Sequence, residues 1–143
     1  MKITRIAKEE RKDVVLTALR NYMSEVDDNW NYITPEELEE DAGQYFLLDI
    51  RSKDVFEEGH IKGSSNIFWQ KLLEDENLNK LPKDKVIVLI CYVGHTASQM
   101  LLALRLLGYE AVALKFGMGV SPVRGVPVAG WLDYGFDVVK GQK

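Results

Sequence analysis

The sequence has a single cysteine, Cys91, and only two histidines among its 143 residues. One thiol cannot form a disulfide within the chain, and one cysteine with His60 and His95 cannot supply a cysteine-rich structural zinc site. The 18 basic residues are outnumbered by 22 acidic ones, which gives a net charge of −4 and excludes the basic face of a typical nucleic-acid-binding protein. No apolar run approaches the roughly 20 residues of a membrane-spanning helix. Cys91 is therefore either packed inertly in a core or a reactive thiol.

The amino-acid composition is typical of one globular domain. Hydrophobic residues make up 46% and charged residues 28%, and a chain of this length forms one domain with room for a short extension. The first twelve residues carry charges throughout and have no apolar segment, so they do not resemble a signal peptide. We therefore expect a cytoplasmic protein, because a lone thiol stays reduced there. An exported protein whose signal is absent from this sequence is the open alternative.

The N-terminal segment of the chain is predicted to be a helical extension of the main domain. Apolar residues recur at helical spacing within residues 8–23, which predicts an amphipathic helix that docks on the domain. These residues are Val15, Leu19, Tyr22 and Met23. The polar stretch 24–31 is typical of a linker. We expect residues 1–24 to form the extension and residues 25–143 the domain.

The rest of the chain alternates between strand-like and helical patterns. Short apolar runs predict buried strands at residues 45–50, 65–68, 85–90 and 111–114. Helices are predicted from Thr34, an N-cap with a capping box to Glu37, and at residues 53–58, 69–79, 97–107 and 131–134. Strands and helices at this spacing form βαβ units, which require parallel pairing and right-handed crossovers. The predicted fold class is therefore α/β, with a central parallel β-sheet flanked by helices.

Cys91 directly follows the predicted strand 85–90, at the edge where ligands of parallel sheets collect. The predicted loop around its sulfur consists of Tyr92, Val93, Gly94, His95 and Thr96. The five backbone N–H groups of this loop can curl around the sulfur, and Thr96 with Gln99 has the spacing of a capping box for the next helix. Together with the helix dipole, these groups favour a thiolate. A small buried hydrophobe at a strand end is the alternative.

Four motifs occur in a characteristic order. They are Asp49-Ile-Arg51, Gly59-His-Ile-Lys-Gly-Ser-Ser-Asn-Ile67, Cys91-Tyr-Val-Gly94, and Leu106-Leu-Gly-Tyr109 followed by Leu114-Lys-Phe-Gly117. In this order and over about residues 34–139, the chain resembles the single-domain rhodaneses, a family of sulfurtransferase modules. The resemblance implies a rhodanese-like three-layer α/β domain with a central parallel sheet, and a catalytic Cys91.

The resemblance also implies a reaction. In such proteins the cysteine takes the outer sulfur of a donor such as thiosulfate, forms a persulfide, and passes the sulfur to cyanide or a cellular thiol. A protein sulfur acceptor is a further alternative, and residues 1–24 could then serve as its docking element. No metal ion and no organic cofactor is implied.

The chain departs from the family pattern at two places. Many family loops have Arg and Ser where this chain has Thr96 and Ala97, so a positive charge for an anionic donor is missing. Residues 119–128 resemble an insertion, and they contain Arg124. We hypothesise that Arg124 replaces the missing loop arginine at the Cys91 pocket.

Other polar and aromatic residues have two interpretations each. Arg51 either lines the substrate pocket or forms a structural pair with Asp49. His95 either orients an acceptor or faces solvent, and His60 is expected to hold a turn by hydrogen bonding. The three tryptophans are expected to pack in the core or at the domain edge rather than to form a recognition surface; they are Trp30, Trp69 and Trp131.

Two other classes of function compete with the sulfurtransferase. Cysteine phosphatases and arsenate reductases use a Cys-x5-Arg loop, but the sixth residue after Cys91 is Ala97, which cannot bind phosphate bidentately. A non-catalytic or partner-dedicated rhodanese-like carrier or binding module is the second alternative. Loss of the cysteine is the usual sign of a non-catalytic module, and Cys91 is present.

Overall fold

A computed structural model describes residues 8–119 and 130–142 of the chain. Its five strands are β1 (Tyr32–Ile33), β2 (Phe46–Asp49), β3 (Ser65–Asn66), β4 (Ile87–Ile90) and β5 (Ala111–Leu114). They form one sheet in the order β1-β5-β4-β2-β3, in which every neighbouring pair is parallel. The predicted α/β class with a central parallel sheet is confirmed.

Five α-helices are present in the described residues: α1 (Lys8–Glu25), α2 (Pro35–Glu40), α3 (Lys53–Glu58), α4 (Asp75–Leu78) and α5 (His95–Leu106). The capping box of α2 forms as predicted, since Thr34 Oγ1 accepts the amide of Glu37 and the Glu37 carboxylate accepts the amide of Thr34, both at 3.1 Å. The single helix predicted over 69–79 is wrong. That stretch contains a 3-10 turn (Trp69–Lys71) and the short α4, separated by residues 72–74, of which Leu72 is fully buried.

The sheet separates two hydrophobic cores because side chains alternate along each strand. On β4, Ile87 and Leu89 face the core beneath α5, which also contains Leu101 and Leu104. Val88 and Ile90 face the opposite core, which contains Leu38 of α2 and Trp131 of the last 3-10 turn (Trp131–Tyr134). All four residues of β4 are fully buried. This central strand therefore supports the residue that follows it, Cys91, from both faces of the sheet.

Helix α1 lies against α5, but it buries fewer of its apolar side chains than the sequence predicts. Leu19 and Tyr22 are half-buried, whereas Val15 and Met23 are exposed, so the prediction that all four form one docking face is wrong. The contact with α5 covers only part of the apolar surface of α1. The division into an extension and a domain at residue 24 stays a prediction, and α1 itself ends at Glu25.

The stretch predicted as a linker leads directly into the edge strand β1. The Asp27 carboxylate accepts the amides of Asn29 and Asn31, both at 2.9 Å, and closes a turn. Tyr32 and Ile33 then pair in parallel with Ala113 and Leu114 of β5. The turn after α1 therefore leads into the strand at one edge of the sheet, beside β5. Within the described residues, no helix has both the length and the apolar character needed to cross a membrane.

Candidate active site

The sulfur of Cys91 lies at the carboxyl end of β4 and accepts hydrogen bonds from two backbone amides. The amide nitrogen of Gly94 is 3.1 Å and that of Ala97 is 3.3 Å from Sγ. Cys91 is only 2% exposed, so these amides act at short range and largely shielded from solvent. Of the five amides predicted to surround the sulfur, Gly94 donates in this structure, and the second donor, Ala97, lies one residue beyond the predicted set.

Helix α5 begins two residues earlier than the sequence predicts, at His95 instead of Ala97. Gly94 is its N-cap, with φ +92° and no side-chain cap, so the predicted capping box of Thr96 and Gln99 is wrong. Ala97 is the third residue of α5, the position whose amide an N-cap side chain ordinarily accepts. The sulfur of Cys91 occupies that role here. The helix N-terminus is thus completed by the thiol, which lies where the helix dipole favours negative charge.

The loop after Cys91 is held by the segment that follows β5. The amide of Met118 donates to the Cys91 carbonyl at 2.9 Å, and the amide of Gly119 donates to the Tyr92 carbonyl at 3.0 Å. The carbonyls of Gly117 and Met118 in turn accept the amides of Trp131 and Leu132, at 2.9 and 3.0 Å. Backbone hydrogen bonds therefore fix the start of the loop to two later parts of the chain.

Arg51 forms a buried ion pair with Asp49 at the end of β2. Its Nη2 lies 2.7 Å from Asp49 Oδ2 and 2.8 Å from the Gly59 carbonyl, and its Nε also donates to the Asp49 carboxylate. These contacts match the interpretation of Arg51 as a structural partner of Asp49. Because Nε and Nη2 both bond within the fold, this geometry supports the structural role of Arg51, and its pocket role stays a prediction.

His60 has the structural role that the sequence predicts. Its side chain is fully buried, its ring stacks on Phe56 at 3.6 Å, and its Nδ1 donates to the Phe56 carbonyl at 2.8 Å. The backbone of His60 also pairs with Val139 in an antiparallel bridge. His60 therefore joins α3 to the C-terminal segment and lies in the core rather than beside Cys91.

A cleft of about 440 Å³ opens beside the Cys91 loop, between the ends of β1 and β5. We call it the aromatic cleft because Trp30, Tyr32 and Phe116 line it. Its other lining residues include Val93, Gly94 and His95 of the loop, Ser98 of α5, the acids Asp28 and Glu37, and Lys115. Trp30 is 72% exposed, so the expectation that it packs in the core or at the domain edge is wrong. Trp131 is buried and Trp69 packs against a core, as expected.

A hydrogen-bonded chain connects this cleft to the carbonyl of Gly94, the residue whose own amide donates to the sulfur. The hydroxyl of Ser98 donates to the Gly94 carbonyl at 2.7 Å, and the hydroxyl of Tyr32 lies 2.8 Å from the Ser98 oxygen. Because the Ser98 proton is used on the carbonyl, Tyr32 is the donor to Ser98. The sequence analysis did not identify Tyr32, Ser98 or Lys115. Tyr32 and Ser98 are hydrogen-bonded to each other but lie 66 residues apart in the chain, so no local pattern indicates the contact.

The remaining predicted site residues lie in different surroundings. His95 is exposed at the first position of α5 and lines the aromatic cleft. Thr96, at the second position, is half-buried. Arg124 lies outside the described residues, so its relation to Cys91 stays a prediction. Among the described residues, no group of three or more His, Cys, Asp or Glu side chains is placed to hold a metal ion.

Comparison with known proteins agrees with this architecture. The family model described as a rhodanese-like domain matches residues 34–118, which is more than half of the chain. A probable adenylyltransferase/sulfurtransferase, MoeZ, from Mycobacterium tuberculosis is 34% identical over 90 residues, which cover 60% of this chain and 23% of that protein. The chain thus spans about a quarter of the length of that relative. The protein belongs to the rhodanese-like domain family, whose relatives include sulfurtransferases.

Solved structures show the same fold. A rhodanese-related protein from Thermoplasma volcanium superposes with a TM-score of 0.63 at 27% identity, over 76% of this chain and 96% of the other. A thiosulfate sulfurtransferase from Pseudomonas aeruginosa superposes with a TM-score of 0.61 at 18% identity, over 78% of this chain and 20% of the other. At that identity, the second likeness concerns the fold alone.

Proposed function

We propose that the protein is a thiosulfate sulfurtransferase that carries sulfane sulfur as a persulfide on Cys91. In the first half-reaction the Cys91 thiolate attacks the outer sulfur of thiosulfate. The S–S bond of the donor breaks, its electron pair leaves with sulfite, and a Cys91 persulfide anion remains. In the second half-reaction an acceptor, cyanide or a thiolate, attacks the outer sulfur and returns the electron pair to Sγ.

The observation that carries this proposal is the pair of amides at the sulfur. The N–H groups of Gly94 and Ala97 point at Sγ from the turn and the first helical turn that follow it. A packing cysteine needs no such donors, whereas a sulfur that bears negative charge before and after transfer is stabilised by them. The donors are backbone groups fixed by α5 and by Met118 and Gly119, so they need no rearrangement during the reaction.

The proposed reaction needs no further cofactor, and its reactants and cellular compartment follow from its chemistry. Both half-reactions balance without an oxidant, a metal ion or an organic cofactor, because each exchanges one S–S bond for another or for a bond to carbon. The donor and acceptor are small molecules, or a protein thiol in the case of a dedicated carrier. We place the reaction in the cytoplasm, where a lone thiol stays reduced.

Single-turnover kinetics test the two half-reactions separately. Protein at high concentration is mixed with thiosulfate, and sulfite is measured before cyanide is added and thiocyanate is measured after. We expect a stoichiometric release of sulfite, followed by thiocyanate with ping-pong kinetics, and neither product from Cys91→Ser. Sulfite release that survives in Cys91→Ser, or no release from any sulfane donor by the unaltered protein, would contradict the proposal. The second result would favour a binding module.

A further inference from the structure

The aromatic cleft is larger than thiosulfate or cyanide requires, since each of these consists of only a few atoms. Its volume of about 440 Å³ falls in the range of about 300–1,000 Å³ that holds small organic molecules. We propose that this cleft binds the body of a zwitterionic organic thiol, of amino-acid or dipeptide size, that accepts sulfur from Cys91. The proposal rests on the proposed function and names the class of acceptor.

Two aromatic rings are held at the cleft by unusual backbone conformations. Trp30 has φ +57° and Phe116 has φ +58°, a region that residues other than glycine seldom adopt. Both side chains are nevertheless exposed, at 72% and 45%, so burial of the rings does not compensate the strain. Strained residues of this kind cluster at ligand sites. Aromatic side chains, which have only two χ angles, offer contact area to the apolar part of a ligand at little cost in conformational entropy.

The charges of the cleft have both signs. Asp28, in the turn after α1, and Glu37, on α2, supply carboxylates, and Lys115, directly after β5, supplies an ammonium group. Glu37 is held in place by its hydrogen bond to the Thr34 amide. An amine is attracted by the carboxylates and by the faces of the rings, and a carboxylate by Lys115. A zwitterion complements this set, whereas thiosulfate and sulfite carry negative charge only.

The cleft shares a wall with the sulfur site. Gly94 lines the cleft, and its amide donates to Sγ at 3.1 Å. A ligand in the cleft therefore lies against Gly94, the residue whose amide holds the reacting sulfur. In the transfer step, the thiolate of the bound acceptor attacks the outer sulfur of the Cys91 persulfide. The S–S bond breaks, its electron pair returns to Sγ, and the acceptor leaves as an organic persulfide.

Direct binding tests the site without turnover. Calorimetry with S-methyl-cysteinylglycine, an unreactive zwitterionic probe, is carried out on Cys91→Ser protein, which cannot carry a persulfide. We expect saturable binding that is weakened about tenfold, or about 1.4 kcal/mol, by Trp30→Ala and by Lys115→Ala. Phe68→Ala, which removes an exposed aromatic ring outside the cleft, is the matched control and should bind as the parent does.

A second Trp30 variant distinguishes loss of the aromatic ring from loss of stability. Trp30→Gly removes the ring and also relieves the strain of the positive φ. It should therefore bind the probe as weakly as Trp30→Ala does, but unfold at a higher temperature than Trp30→Ala. Absence of saturable binding, or equal affinities in all variants, would overturn the proposal. This outcome is independent of the proposed function, because Cys91→Ser takes no part in sulfur transfer.

Discharge of the preformed persulfide then compares three acceptors: cysteinylglycine, N-acetylcysteine amide, which lacks both charges, and cyanide. We expect the ratio of kcat/KM for cysteinylglycine to that for cyanide to fall about tenfold in Trp30→Ala. We also expect cysteinylglycine to exceed the capped thiol by about the same factor in the parent. Equal rates for the two thiols would contradict a cleft that recognises a zwitterion. Failure of the persulfide to form at all would instead contradict the proposed function.

Discussion

The α-carbon of Gly117 packs directly against the backbone carbonyl of Cys91. Gly117 has φ +55°, and a Cβ at this position would overlap the Cys91 carbonyl oxygen and lie 3.0 Å from the carbonyl carbons of Cys91 and Tyr92. The start of the sulfur-binding loop can therefore adopt its conformation only if the residue after Phe116 has no side chain. The identity of a residue beyond β5 thus controls the geometry of the loop that follows β4.

Substitution Gly117→Ala should damage both the fold and the site. The left-handed conformation alone costs about 1–2 kcal/mol in a residue with a Cβ, and the overlap with Cys91 adds to that cost. We expect a lower free energy of unfolding in urea and slower formation of the persulfide from thiosulfate. Gly135→Ala is the matched control, because Gly135 has φ +74° and open space at its Cβ position. Equal effects of the two variants on persulfide formation would show that Gly117 does not position the loop.

Substitution Asp49→Ala should destabilise the domain strongly. It leaves the Arg51 guanidinium buried without its carboxylate, and removal of one partner of a buried ion pair costs about 3–5 kcal/mol. Chemical denaturation measures this loss. The same experiment with Arg51→Lys, which keeps the charge but loses the bidentate geometry, should give a smaller loss. A rise in the KM for thiosulfate in Arg51→Lys that exceeds tenfold, with little loss of stability, would instead support a role of Arg51 in the substrate pocket.

Substitution Tyr32→Phe should loosen the first turn of α5, where Ser98 donates to the Gly94 carbonyl next to the sulfur. It removes one hydrogen bond to Ser98, a loss of about 0.5–1.5 kcal/mol in stability, and it frees the Ser98 hydroxyl from its fixed orientation toward Gly94. We expect a changed rate of Cys91 alkylation by iodoacetamide, and a larger change in Ser98→Ala, which removes both hydrogen bonds. Tyr134→Phe, at an exposed tyrosine, is the control. An unchanged alkylation rate in Ser98→Ala would contradict this coupling.

Substitution Arg124→Ala tests whether this residue supplies the charge that the loop lacks. The residues of the loop after Cys91 include no arginine, and a hydroxyl such as that of Thr96 binds an oxyanion without a charge-assisted bond. We expect a higher KM for thiosulfate with a smaller change in kcat. Arg20→Ala, on the exposed side of α1, is the control for a general loss of positive charge. An unchanged KM for thiosulfate in Arg124→Ala would show that Arg124 does not supply this charge.

The sequence predicts the parts of the fold that depend on local pattern. The apolar run 85–90 identifies β4 because a strand buried on both faces has few polar residues. Thr34 and Glu37 identify the start of α2 because the capping box is formed within one turn. The position of Cys91 at the carboxyl end of a parallel strand follows from the same alternation of strands and helices.

The parts of the fold and site that the sequence does not predict depend on contacts between residues far apart in the chain. Strand β1 has only two residues, and it exists because it pairs with β5, some 80 positions later. The start of α5 shifts to His95 because the Cys91 sulfur accepts the amide of Ala97, so the predicted cap of Thr96 on Gln99 does not form. The recognition role that we propose for Trp30 depends on its exposure and positive φ, neither of which the surrounding polar sequence reveals.

Intact-mass spectrometry tests the central claim, that Cys91 carries sulfane sulfur, most directly. The protein is incubated with thiosulfate, freed of excess donor and weighed, and the measurement is repeated after addition of cyanide. We expect a gain of one sulfur atom that cyanide removes and that Cys91→Ser never shows. A protein whose mass is unchanged after exposure to thiosulfate and to other sulfane donors, or a gain that persists in Cys91→Ser, would contradict it.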